Sequence, residues 1–228
     1  MSLKEFTSHL NKKERVEGEL IMTFVYSLLT SLVILGIFYF FRFRNIENFL
    51  SNQGYFLFFA VISYALLVPV IRQVRAYKQL ACMSGMMVGM TLGMMSGFLG
   101  GFYVASTNGM FYGSLFGAIV GIVFGTWAGS CCGIMGFMEG IMAGFMGGLM
   151  GAMTAFMLLN DHLKLAALLV FIVCAVIIAS LNYLIFLEAK EIERQKKEDQ
   201  FITLMITFVL TLITTWLIVY GPRSPIFG

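Results

Sequence analysis

The sequence is short of charge. Of its 228 residues only 12% are charged and 59% are hydrophobic, whereas an ordinary globular domain carries about 25% charged residues. A soluble fold of this size could not bury so much apolar surface, so lipid must solvate much of it. The net charge of +3 is too small and too scattered to indicate a nucleic-acid-binding protein. These shortages predict an integral membrane protein.

Cysteine is also scarce, and familiar catalytic motifs are missing. The four cysteines lie in or at the edge of apolar runs, at Cys82, Cys131, Cys132 and Cys174, so we expect no disulfide framework. There is no P-loop, dinucleotide fingerprint, HExxH motif or nucleophile elbow. Residues 1–20 are charged throughout and show no cleavable signal peptide. We therefore expect no enzyme activity, and a first apolar run that stays as an anchor.

Long apolar runs, in contrast, are abundant. Seven of them approach the roughly 20 residues that a hydrocarbon core requires. Backbone groups in lipid must pair within their own segment, so these runs predict an all-α, polytopic transmembrane bundle forming one domain over residues 1–228. The predicted spans are Leu20–Phe41, Tyr55–Val74, Leu80–Val104, Gly109–Gly129, Gly133–Leu159, Leu163–Leu187 and Phe201–Tyr220.

Basic residues fall mainly in alternate connections between these spans. The N-terminal arm and the second and sixth connections together hold eleven, and the connections of the opposite side hold four. The positive-inside rule then predicts a cytoplasmic N-terminus and an external C-terminus, in what we expect to be a bacterial plasma membrane. The charged stretch 188–200 is predicted to be a cytoplasmic connector.

Glycine and methionine are concentrated in the middle of the chain. Residues 81–157 hold nineteen of the 24 glycines and fourteen of the 17 methionines. The remaining spans are rich in leucine, isoleucine, valine and phenylalanine. We therefore expect the third to fifth spans to form an inner bundle, with residues 20–74 and 163–220 as a lipid-facing outer layer.

The glycines of the inner spans recur at every fourth residue. Each costs roughly 1 kcal/mol of helix propensity relative to alanine, so their repetition indicates helix backbones in close contact with right-handed crossings. We expect the fourth span, which has the longest row, to be central, and such seams also suit a homo-oligomer. The glycines predicted to pack helices are Gly85, Gly89, Gly93, Gly97, Gly113, Gly117, Gly121, Gly125, Gly129, Gly136, Gly140, Gly144 and Gly148.

Methionines form a second row on the fifth span, offset by two residues from its glycines and therefore on the opposite face. The same span carries Glu139, the only acidic residue inside the predicted spans, and an ionisable group there is a functional candidate. Thiolates and thioethers select soft ions such as Cu(I), whereas methionine can also simply fill irregular gaps between helices. The predicted metal ligands are Cys82, Met83, Met86, Cys131, Cys132, Met135, Met138, Glu139, Met142 and Met146.

Two short patterns in this region resemble a known transporter family. The M-x-x-x-M pairs Met86–Met90 and Met138–Met142, found together with G-x-x-x-G repeats, resemble those of the eukaryotic-type copper transporters, which have three spans per subunit. The resemblance covers residues 81–157 only and implies Cu(I) as the transported ion. This chain has more spans and carries the motifs on different helices.

We therefore predict a membrane transport or homeostasis protein, a permease or binding protein for a soft metal ion such as Cu(I) or Ag(I). One alternative is an oligomeric glycine-zipper channel for ions, gated by membrane tension. Another is a structural membrane subunit that transports nothing. The sequence shows no nucleotide site, so transport would be passive or ion-coupled. The expected partners are membrane lipid and further copies of the chain, and nucleic acid is not expected.

Overall fold

The computed structural model describes residues 16–41, 54–76, 82–130, 133–159, 161–189 and 200–221, and over these residues the ordered elements are helices. Six of the helices are long and apolar enough to cross a membrane, and the apolar part of the seventh, Met205–Tyr220, is shorter. The predicted helical membrane bundle is confirmed. The helices are α1 (Val16–Phe41), α2 (Tyr55–Ala76), α3 (Cys82–Asn108), α4 (Met110–Gly129), α5 (Gly133–Met157), α6 (Leu163–Ala189) and α7 (Gln200–Tyr220).

The third to fifth helices pack against one another as a compact unit, which we call the glycine bundle. The connection between α3 and α4 is a single residue, Gly109. Its φ is 101°, a backbone conformation that residues with an L side chain rarely adopt. The Gly109 amide donates to the Ala105 carbonyl and the Gly113 amide donates to the Gly109 carbonyl, both at 3.1 Å. The chain therefore reverses directly from α3 into α4 without a loop.

The other four helices, α1, α2, α6 and α7, form a second unit, the α2 bundle. Its central helix is α2, which contacts α1, α6 and α7 and also α3 of the glycine bundle. Of the apolar span of α2, 72% is buried, against 17% for α1 and 22% for α6. The structure therefore differs from our expectation that α2 faces lipid. An apolar helix suits a protein interior as well as lipid, because lipid tails are as apolar as leucine.

The two bundles meet where α2 and α7 lie against α3. The hydroxyls of Ser63 on α2 and Tyr103 on α3 are 3.1 Å apart, and both side chains are buried. On another face of α2, the ring of Phe59 packs edge-on against Phe171 of α6, with centroids 5.5 Å apart. Helix α2 is therefore fixed on several sides, and α3 belongs to the core of both bundles.

Candidate functional site

The glycine bundle is held by direct contact between backbones. A Cβ atom added to Gly89 would lie 2.7 Å from the Gly129 Cα. One added to Gly121 would lie 2.7 Å from the Gly144 carbonyl oxygen, and one added to Gly97 would lie 2.8 Å from the same oxygen. Real Cβ atoms essentially never come so close, so each of these glycines excludes a side chain.

The remaining glycines of the predicted rows lie in the same contacts. Gly85 and Gly136 are buried, and an added Cβ would meet a neighbouring helix within about 3 Å at Gly93, Gly113, Gly117, Gly125, Gly129, Gly140, Gly144 and Gly148. Sequence reasoning missed three more glycines in this role: one continues the four-residue row of α3 past Gly97, and two fall outside the row of α5. These are Gly101, which meets Gly148, Gly147, which meets the Met94 backbone, and Gly151, which meets the Phe98 backbone.

Most methionine side chains of α3 and α5 lie on the outside of the glycine bundle, whereas Met95 packs against the hydrophobic core. We call the exposed ones on these two helices the methionine surface. On α5, for example, Met142 is 64% exposed while the neighbouring Gly144 is buried. The members of the methionine surface are Met83, Met87 and Met90 on α3 and Met135, Met138, Met142, Met146, Met150, Met153 and Met157 on α5.

The two rows of this surface lie on two helices of the glycine bundle that contact each other, α3 and α5. These helices run parallel, because Gly93 lies against Gly140 and, further along both, Gly101 lies against Gly148. The beginning of α3, with Met83, is therefore at the same end of the bundle as the beginning of α5. The exposed thioethers of both helices therefore begin at the same end of the bundle.

The predicted metal ligands divide into three groups. Met135, Met138, Met142, Met146 and Met83 belong to the methionine surface, and the side chains of Met86 and Glu139 are half-buried beside it. The structure leaves these residues exposed or half-buried on α3 and α5, and the described part of the chain does not enclose them. Predicted ligands that lie outside the described residues are Cys131, Cys132 and the side chain of Cys82.

Within the described parts of the chain, no group of three or more His, Cys, Asp and Glu residues could hold a metal ion. A site built from described residues would therefore depend on thioether sulfur, with Glu139 as its carboxylate. The metal site remains a prediction.

Sequence reasoning missed a buried polar cluster near one end of α2, made of Thr23, Ser27, Arg72, Gln73 and Asn182. Arg72 is 6% exposed, and its Nη1 donates to Thr23 Oγ1 at 2.8 Å. Gln73 is fully buried, and its Nε2 donates to the Asn182 carbonyl at 3.5 Å. The cluster therefore joins α1, α2 and α6.

Three polar atoms of this cluster have no hydrogen-bond partner among the described residues. They are Ser27 Oγ, Gln73 Oε1 and Asn182 Oδ1. Leaving a buried polar group unsatisfied costs about 1–3 kcal/mol. The sequence did contain a signal, because Arg72 falls inside the predicted second span, but we assigned its charge to the following connection.

Towards the opposite end of the α2 bundle, Ser63, Tyr103 and Asn108 are buried polar residues with hydrogen-bond partners. Ser63 Oγ donates to the Phe59 carbonyl at 2.7 Å and lies 3.1 Å from the Tyr103 hydroxyl. Asn108 Nδ2 donates to the Leu217 carbonyl at 2.5 Å, which joins the end of α3 to α7. We call these residues the paired end, and they contrast with the polar cluster at the other end of α2.

Together, these helices and their apolar surfaces define an integral membrane protein of the helical, polytopic class. Comparison with known family models, with curated proteins and with solved structures finds no match to the chain. Its function is therefore inferred from the methionine surface and the polar cluster.

Proposed function

We propose that this protein binds and transports a soft monovalent metal ion, Cu(I) or Ag(I), along its methionine surface. The observation that carries the proposal is the separation of glycine from methionine. If methionine served only to fill irregular gaps, its side chains would lie in the seams between α3, α4 and α5. Those seams are closed by backbone contacts instead, and the thioethers remain exposed.

The chemistry of the surface suits such an ion. Thioether sulfur is a soft, uncharged ligand, so it can coordinate Cu(I) without placing further charge in the membrane. Successive members of the row Met138, Met142, Met146 and Met150 are about 6 Å apart along the helix axis, at 1.5 Å per residue. Conduction requires several sites that bind weakly enough to release the ion, and a row of equivalent thioethers meets this requirement.

Glu139 gives the row a polar end. Glu139 lies in the second turn of α5, and its side chain is half-buried. In sequence it stands between Met135 and Met142. A carboxylate can balance the charge of a bound cation, and an ionisable group in a span is a functional candidate. Cys131 and Cys132 directly precede α5, so we propose that they are the stronger ligands at the same end.

A second copy of the chain completes the site in this proposal. The exposed thioethers of one chain do not surround an ion, and facing α5 helices would supply ligands from both sides. The glycine-zipper channel receives less support, because the glycine contacts on which its self-association would depend are made within one chain.

The test is Cu(I) binding to the purified protein under anaerobic conditions, measured by competition with a chromophoric chelator. We expect the variant with Met135, Met138, Met142 and Met146 changed to Leu to lose at least about tenfold in affinity, equivalent to about 1.4 kcal/mol. The matched control is Met22→Leu with Met205→Leu, since these methionines are similarly exposed but lie on α1 and α7. The control should bind as the parent does.

A second variant tests the polar end, with Cys131→Ser, Cys132→Ser and Glu139→Gln combined. We expect weaker binding but the same helical fold. Unchanged affinity and stoichiometry in both variants would refute the metal proposal. Isolation of the protein in a stable complex with another protein, without bound metal, would then favour the structural subunit.

A further inference from the structure

The polar cluster lies at one level of the α2 bundle. Thr23 is near the beginning of α1, Arg72 near the end of α2 and Asn182 near the end of α6. The hydrogen bonds of Arg72 to Thr23 and of Gln73 to Asn182 bring these ends together. Each of these residues is one to two turns from the end of its helix, which is about 6–10 Å along the axis. The cluster is therefore close to one face of the membrane.

Three buried polar atoms at this level have no hydrogen-bond partner among the described residues, and the Tyr64 hydroxyl, further along α2, is another. Ser27 is 1% exposed and Gln73 is fully buried, and neither Ser27 Oγ nor Gln73 Oε1 has a partner among the described residues. Several other buried hydroxyls of the same bundle are satisfied. Ser31 donates to the Leu28 carbonyl at 2.9 Å and Thr211 donates to the Thr207 carbonyl at 2.8 Å. The unsatisfied polar atoms are therefore concentrated at the polar cluster.

We propose that the α2 bundle opens to water at the polar cluster, in a second conformation that hydrates Ser27, Gln73 and Asn182. In the closed packing seen here, these groups have lost water without gaining a partner among the described residues, and hydrocarbon offers none. A conformation that admits water from the near membrane face removes this penalty. The proposal is independent of metal binding by the methionine surface.

Helix α1 is the element that moves. Its only buried side chains among those described are Thr23, Ser27, Ser31 and Ile34, so it is attached to α2 and α7 mainly by small hydroxyl residues. Helix α6, in contrast, is tied to α2 by the Phe59–Phe171 ring contact and by the bond from the Tyr55 hydroxyl to the Lys164 carbonyl at 3.0 Å. Withdrawal of the beginning of α1 would expose Ser27 first.

The charge of Arg72 limits what can enter. A guanidinium group beside an opening is an electrostatic barrier to cations. The opening therefore suits water and small neutral solutes, and it is chemically distinct from a row of thioethers that binds a cation.

Cysteine accessibility tests the opening. The four native cysteines are replaced by alanine, Ser27→Cys is introduced, and the protein in lipid nanodiscs is treated with a small, negatively charged, membrane-impermeant methanethiosulfonate, which the charge of Arg72 does not exclude. Ser63→Cys is the matched control, because Ser63 is also 1% exposed but belongs to the paired end. We expect Ser27→Cys to react at least about tenfold faster, because modification follows the population of the open form. Equal, slow reaction at both positions in correctly folded protein would overturn the proposal.

A second variant guards against an effect of the introduced cysteine. Gln73→Leu removes an unsatisfied acceptor, so it should favour the closed form, slow the modification of Ser27→Cys by at least about fivefold and raise the unfolding temperature. If Gln73→Leu leaves the rate unchanged or lowers the unfolding temperature, the role of Gln73 in opening is wrong.

Discussion

The two bundles of this protein are stabilised in different ways. In the glycine bundle, α3, α4 and α5 touch through their backbones, and the buried residues of α5 are all glycine or alanine. In the α2 bundle, large side chains fill the interior, including the fully buried Tyr64, Leu57 and Leu67. Close backbone contact gains van der Waals energy where lipid removes the hydrophobic driving force, whereas side-chain packing allows polar groups to enter the interior.

This difference determines where the candidate functional side chains of each bundle lie. The glycine bundle has no room inside, so its thioethers and Glu139 lie on or near its surface. The α2 bundle encloses Arg72 and Gln73 between its helices. A ligand of the first bundle must therefore approach from outside, and access to the second requires a helix to move.

The largest effect is expected from adding one methyl group to the glycine bundle. Gly121→Ala would place a Cβ 2.7 Å from the Gly144 carbonyl oxygen and 2.8 Å from the Gly93 carbonyl oxygen. Neither backbone atom can move away alone. We therefore expect the free energy of unfolding to fall by about 3 kcal/mol, the upper end of the usual cost of overpacking. Thermal unfolding in detergent, followed by circular dichroism, measures it.

Gly36→Ala is the matched control. Gly36 lies in α1, and nothing is found within 4 Å of its Cβ position. Alanine there should be neutral or stabilise the helix by up to about 1 kcal/mol. If Gly121→Ala and Gly36→Ala unfold at the same temperature, the backbone contacts do not stabilise the glycine bundle.

Much of the fold could be read from the sequence because its signals are local. The apolar runs predicted all seven helices, and Gly109 was read as the beginning of the fourth span. The offset of two residues between Gly144 and Met142 placed them on opposite faces of one helix, as the structure has them. Local spacing fixes which face a residue occupies, since helical geometry relates neighbouring positions directly.

The remaining features depend on contacts between distant helices, which local spacing does not report. Helices α1 and α2 are both apolar, yet α1 is mostly exposed and α2 mostly buried. The burial of Arg72 also could not be predicted from local spacing, because its hydrogen-bond partner Thr23 is 49 residues away in sequence. The metal ligands Cys131 and Cys132 lie outside the described residues, so their part in the site stays a prediction.

A smaller effect is expected from removing the partner of Arg72 in the α2 bundle. Thr23→Val keeps the shape of the side chain but deletes the oxygen that accepts from Arg72 Nη1 at 2.8 Å. We expect the free energy of unfolding to fall by about 1–3 kcal/mol, the cost of leaving a buried donor unsatisfied. Thermal unfolding again measures this change.

Thr30→Val on the same helix provides the comparison for this change. The Thr30 hydroxyl bonds only to carbonyls of its own helix, those of Tyr26 and Ser27, so its removal should alter stability by less than about 0.5 kcal/mol. Equal losses for Thr23→Val and Thr30→Val would mean that the Arg72 contact contributes nothing.

The smallest effect on stability is expected for the methionine surface. Changing Met135, Met138, Met142 and Met146 to Leu nearly conserves volume, and all four side chains are more than half exposed. Each exchange should cost less than about 0.5 kcal/mol, as for surface substitutions elsewhere, so the unfolding temperature should stay close to that of the parent while Cu(I) binding falls. If the quadruple variant is instead destabilised as strongly as Gly121→Ala, its methionines are packing residues against another copy. The separation of glycine from methionine would then no longer argue for a metal-binding surface.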